Sequence, residues 1–138
     1  MQNMPNELLD AYAEDLAITE CSFELMGKLL DKGYLKKRLD SLNTPALYVY
    51  GGGYLGIQFY RACEGLIDIL SIVDKQGCLR LDITDIPVTN LDGLKKVYKG
   101  ENIIVASVRY YQEIQQDLLS FVPEAKILFL GEFLGGIL

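Results

Sequence analysis

Histidine is absent from the chain. That removes the usual general base near neutral pH, the Ser-His-Asp and Cys-His pairs of nucleophilic catalysis, and the commonest zinc ligand. Cysteine is scarce: Cys21, Cys63 and Cys78 are odd in number and widely spaced, and no two form a CxxC pair. This is the pattern of a reduced, intracellular protein. With scattered thiols, carboxylates and no DxDxDG loop, no metal site is expected. Basic residues are outnumbered, 13 Lys and Arg against 19 Asp and Glu, for a net charge of −6 and a pI near 4.6. Nucleic-acid binding draws its affinity from Lys and Arg on phosphates, so this balance argues against it, and against an anionic membrane surface. No apolar run approaches the roughly 20 residues that span a bilayer. The start, MQNMPNELLDAYAED, has neither the basic opening nor the apolar stretch of a signal peptide, so a cytoplasmic protein with no membrane partner is expected.

What is present describes one soluble globular domain: 138 residues, 50% hydrophobic and 23% charged. A chain of this length buries roughly two-thirds of its unfolded surface and needs no disulfide or structural metal. Residues 1–43 form a helical amino-terminal extension, with Leu8, Leu9, Tyr12, Leu16, Phe23, Leu25, Met26, Leu29 and Leu30 at three- and four-residue intervals. Two or three helices are expected there, with Gly27 and Gly33 as breaks or caps. The local basic run, Lys32, Lys36, Lys37 and Arg38, reads as a solvated face complementing a helix carboxyl end.

From residue 44 to 138 short β-rich runs alternate with helical ones, which argues for a Rossmann-like α/β domain with a five-stranded parallel sheet. The strands are expected at Ala46–Tyr50, Ile67–Val73, Ile86–Thr89, Asn102–Ala106 and Lys126–Leu130. Between them lie a helix running to about Gly65, a short one over Leu91–Tyr98 and one over Tyr110–Phe121, with irregular chain from 75 to 90. Right-handed crossovers lead to the strand order 3-2-1-4-5. The end, Gly131-Glu-Phe-Leu-Gly-Gly-Ile-Leu138, shows no clear final helix and either packs on the sheet or leads into further chain.

The sharpest local signal is Tyr50-Gly51-Gly52-Gly53-Tyr54-Leu55-Gly56, a GxGxxG directly after a strand and opening a helix. Gly51 suits a tight turn, Gly53 a close backbone approach to a pyrophosphate, and Gly56 close packing of helix on sheet. The free N–H groups and positive end of the helix then make an anion site, with Tyr54 at its first turn. The competing reading is a glycine-rich turn that binds nothing. A carboxylate about 20 residues on, at the end of the second strand, would hold ribose hydroxyls, and Asp74 stands there. It disfavours a 2′-phosphate and so favours NAD over NADP, while Lys75 beside it works the other way; an ordinary turn residue is the alternative. At the end of the fourth strand, Ser107 suits a ribose, a phosphate or a helix cap. Arg109 suits a phosphate or solvent, and Tyr110 and Tyr111 suit a base or plain packing.

Taken together, YVYGGGYLGIQFYRAC, LSIVDKQG, ITDIPVTNLDGLKK, NIIVASVRYYQEIQQDL and AKILFL resemble the Rossmann-type NAD(P)-binding domain of bacterial sugar-modifying and polysaccharide-biosynthesis proteins. That group includes the amino-terminal domains of sugar acyltransferases and sugar-nucleotide epimerase/dehydratase-like proteins. The resemblance covers about residues 46–130. In it Gly51, Gly53 and Gly56 match the glycine loop, Asp74 the acidic strand end, Ile86-Pro87-Val88 the middle strand and Leu91-Asp92-Gly93-Leu94 the short helix. Gly52 and Gly93 depart from the commoner alanine and acidic residue. The resemblance implies a pocket for NAD, NADP or a sugar nucleotide, with chemistry carried by a separate domain. The Tyr-x-x-x-Lys pair of short-chain dehydrogenases is missing, since Tyr34 is followed four on by Arg38 and no Tyr has Lys there.

Three functions follow: a nucleotide-binding accessory or regulatory module of sugar or polysaccharide metabolism, an S-adenosylmethionine-binding methyltransferase-like domain, or a ligand-free interaction module. Five strands are few for a complete methyltransferase. Two sheet edges and an apolar tail would serve a homo-oligomer.

Overall fold

The computed structural model describes residues 6–51, 53–75 and 86–135. Gly52, Cys78 and most of the irregular 75–90 stretch lie outside the described residues. Two helices open the chain, α1 (Asn6–Leu29) and α2 (Lys32–Asp40). Gly27 is no break: it lies inside α1, and the helix ends where Asp31 caps α2, its carboxylate accepting the Tyr34 N–H at 3.0 Å. There follow β1 (Ala46–Tyr50), α3 (Tyr54–Ala62), β2 (Asp68–Val73), β3 (Val88–Thr89), α4 (Leu91–Val97), β4 (Asn102–Val105), α5 (Tyr111–Leu119), β5 (Ile127–Phe129) and α6 (Leu130–Phe133). The five strands form one all-parallel sheet in the order β3-β2-β1-β4-β5, as the alternating pattern predicts.

Helices cover both faces of the sheet. Along β1 and β4 successive side chains alternate. Leu47, Val49 and Ile104 join the layer of α1, α2, α3 and α6, while Tyr48, Tyr50, Ile103 and Val105 join that of α4 and α5. β2 keeps this phase through a register shift opposite Leu47/Tyr48, which leaves Leu70 without a β1 partner and exposed. The core runs across residue 43, since Leu25, Leu29, Leu35 and Leu39 are buried in the same cluster as β1. The earlier part of α1 is exposed, Leu8, Leu9, Tyr12 and Leu16 included. Among the described residues no helix is long and apolar enough to cross a membrane.

The basic run is not simply a solvated face. The Lys32 ammonium donates to the Ala62 carbonyl at the end of α3, and Arg38 Nε donates to the Phe133 carbonyl at 2.6 Å. Lys28 at 3.1 Å and the Tyr34 hydroxyl both donate to the Leu134 carbonyl. The last carbonyls of a helix have no partner within it, so donors from α1 and α2 satisfy the ends of α3 and α6 and add a favourable charge there. The glycine-rich tail does form a short final helix, α6, whose Leu130 and Phe133 are buried against the sheet.

This strand order reverses direction between β1 and β4. In such sheets the loops leaving the two strands diverge, one to each face, and open a crevice beyond the carboxyl ends.

Candidate functional site

The crevice is built first by the turn from β1 into α3. Gly51 has φ +128°, a conformation that L side chains rarely adopt, and a Cβ there would lie 3.0 Å from the Ala106 carbonyl oxygen. Its N–H donates to the Val73 carbonyl at 2.8 Å, tying the end of β1 to β2. At Gly56 a Cβ would stand 1.8 Å from the Gly51 carbonyl oxygen, so the first turn of α3 presses directly on the strand end. These are the turn and packing roles expected of the first and third glycines.

Gly53 differs from both. It is the N-cap of α3, in extended conformation with φ −77° and ψ −170°, and a Cβ there would meet nothing within 4 Å. Neither backbone geometry nor packing requires glycine at this position. Among the described residues no side chain caps this helix. The first internal bond runs from the Ile57 N–H to the Gly53 carbonyl at 3.1 Å. The N–H groups of Tyr54, Leu55 and Gly56 therefore precede the helix's own ladder and form its positive end. The Gly51 amide is already used by Val73, so anion-binding capacity at this turn lies in the helix and not in the strand end.

A cleft of about 660 Å3 lies in front of this turn, and Gly51, Gly53, Tyr54, Asp74 and Ser107 all line it. Gly56 is buried beneath and shapes the cleft through packing. Asp74 follows β2, half-buried, and its N–H donates to the Thr89 carbonyl at 2.8 Å, which fixes the backbone that carries the carboxylate. The Ser107 Oγ accepts the Tyr110 N–H at 3.2 Å and borders the cleft. It closes the turn before α5 and is not the helix cap, since the N-cap is Tyr110, with no side-chain cap among the described residues. Tyr110 is exposed on the rim, whereas Tyr111 packs edge-on against Phe129 with ring centres 5.3 Å apart. Known proteins add no precedent. No protein-family model, no curated protein and no solved structure matches the chain. The case for the site is its own geometry.

Several lining residues escape a reading of the sequence. From α1 come Ile18 and Ser22, so the amino-terminal helix forms one wall of the cleft. Asp15, one turn earlier, pairs with Arg109, which is neither purely solvated nor left to face a phosphate alone. This pair ties α1 to the loop after β4. From the opposite side Lys75 meets Glu113 of α5 at 3.1 Å. Tyr50, Glu113 and Asp117 also line the cleft. Burial, and then the carboxylates of Asp117, Asp74 and Glu113, push the Tyr50 phenol above its ordinary value. Tyr50, as the last residue of the first strand, was within reach of strand alternation. The wall from α1 was not, because its placement depends on packing between segments far apart in sequence.

Proposed function

We propose that this chain is a nucleotide-binding module that takes NAD or a sugar nucleotide across the carboxyl ends of β1, β2 and β4. It would act as an accessory or regulatory domain in cytoplasmic sugar or polysaccharide metabolism, the setting that its sequence resemblance implies. The observation that carries the reading is Gly53, whose missing side chain leaves room over unpaired helix amides at the mouth of a cleft. A diphosphate there would accept from the Tyr54–Gly56 amides and lie along the favourable end of the helix dipole. Asp74 would accept from ribose hydroxyls and Ser107 would face the same ligand from the β4 side. Without a Tyr-x-x-x-Lys pair, the reading is of binding and not of hydride transfer.

Calorimetry with NAD, NADP and a uridine diphosphate sugar tests this. Binding at a hundredfold excess over Kd stabilises the folded state by about 2.7 kcal/mol, a melting shift of several degrees for a domain this size. Gly53→Val should stay folded, with a melting temperature lowered only by the cost of a poorer N-cap, and lose the shift. No heat with any of the three at millimolar concentration refutes the proposal.

A further inference from the structure

The part of the cleft around Tyr50 has a charge that a diphosphate does not explain. Tyr50 is 3% exposed, yet it lines the cleft, and its hydroxyl makes no hydrogen bond among the described residues. No enclosed side-chain nitrogen or oxygen among them lacks a partner, so this hydroxyl opens into the cleft. Around it stand Asp74, Glu113 and Asp117. Among the described residues, both cations that line the cleft are already engaged, Lys75 with Glu113 and Arg109 with Asp15. Among the described residues no three His, Cys, Asp or Glu side chains converge closely enough to hold a metal ion. What the described residues present is a concave, partly apolar surface of net negative charge, into which the Tyr50 hydroxyl opens to donate or accept. A compact metal ion does not suit it, but a diffuse organic cation does, since it needs nearby negative charge and no tight ligand sphere.

We propose that Tyr50, Asp74, Glu113 and Asp117 form a subsite for a permanent organic cation, so that the cleft selects a nucleoside carrying a fixed positive charge over its uncharged counterpart. This rests on the nucleotide reading above and specifies the ligand's class. Two kinds of molecule have this chemistry: a sulfonium nucleoside and an oxidised nicotinamide dinucleotide. In each the anionic part, a carboxylate or a diphosphate, would reach the α3 amides while the ribose meets Asp74.

Matched pairs that differ in that charge decide the matter. Calorimetry on the full chain would compare S-adenosylmethionine with S-adenosylhomocysteine, and NAD with NADH. The expected result is that the charged member of one pair binds at least tenfold more tightly, and the pair that shows this identifies the source of the cation. Asp117→Asn combined with Glu113→Gln removes two carboxylates and releases Lys75, and should bring the two Kd values together. If the double variant does not fold, Asp117→Asn alone reads the same ratio and should lower it. Equal binding of both members by the wild-type chain overturns the cation subsite and leaves the nucleotide reading standing. A preference that survives the substitutions also overturns it. Absence of binding by all four molecules overturns the cation subsite, and overturns the nucleotide reading too only if a uridine diphosphate sugar gives no heat either.

Discussion

A single methyl group separates the roles of two glycines in the same turn. At Gly56 it would collide with the Gly51 carbonyl oxygen at 1.8 Å, and backbone cannot yield as a side-chain tip can. Overpacking of this kind costs roughly 1–3 kcal/mol. Gly56→Ala should therefore lower the urea midpoint clearly, whereas Gly53→Val, which meets no atom, should lower it less, by no more than the cost of a poorer N-cap. Equal effects in denaturant melts would contradict this division. The spacing of Gly51, Gly53 and Gly56 was legible in the sequence because the turn is local. The charge around Tyr50 was not, because Asp74, Glu113 and Asp117 come together only once β2 and α5 flank the end of β1. Cys63 offers a test at the same scale. It is fully buried, and burial pushes its thiol from its ordinary 9.0 up to about 12, against the lowering influence of Lys32. The folded state thus holds a proton that the unfolded chain gives up, so its contribution is intact below pH 9.0 and lost as pH rises toward 12. The loss is on the order of 4 kcal/mol at its limit. Denaturant melts between pH 8 and 11 should show a shallower decline for Cys63→Ala. Part of the decline should persist above pH 10, because Tyr48, Tyr50 and Tyr98 are raised too.

Among the elements, the sheet and its order were the most readable part of the chain. Continuous apolar runs mark parallel strands covered on both faces, and right-handed crossovers leave few ways to arrange them. The strand ends were less so: β3 is two residues where four were expected, and β4 and β5 each stop early, because ladder pairing depends on neighbours. The basic residues of α2 were visible as a cluster, but their distant acceptors were not: Lys32 reaches the end of α3, and Arg38, like Tyr34, reaches the end of α6 about a hundred positions away. That arrangement makes α6 dependent on α2. Tyr34→Phe removes one donor from the Leu134 carbonyl and should destabilise the protein by about 1 kcal/mol. Hydrogen exchange should localise the loosening to residues 130–134, and protection unchanged there would show that Lys28 alone suffices. The Asp15–Arg109 pair calls for a different expectation. Both side chains are substantially exposed, so Asp15→Asn should change global stability by less than about 1 kcal/mol. Its effect should appear as faster exchange in the part of α1 that borders the cleft.

For the whole molecule, the change of pattern near residue 43 is not a break in the core. Leu25, Leu29, Leu35 and Leu39 are each at most 4% exposed and share one cluster with β1, α3 and α6. At roughly 2 kcal/mol for each buried leucine, their loss approaches the whole stability of a typical domain, about 5–15 kcal/mol. A chain beginning at residue 44 should fail to show a cooperative melt. One beginning at residue 11 should melt within a few degrees of the intact protein, because the residues removed contribute no buried side chain among those described. A cooperative transition in the shorter chain would mean that the helices only decorate an independent sheet.

The margins of that sheet have a consequence for encounters with other chains. Among the described residues the sheet has two residues at one border and three at the other, so a visiting strand would find too few rungs to climb onto. Crowded copies of this protein should resist growing into ribbons.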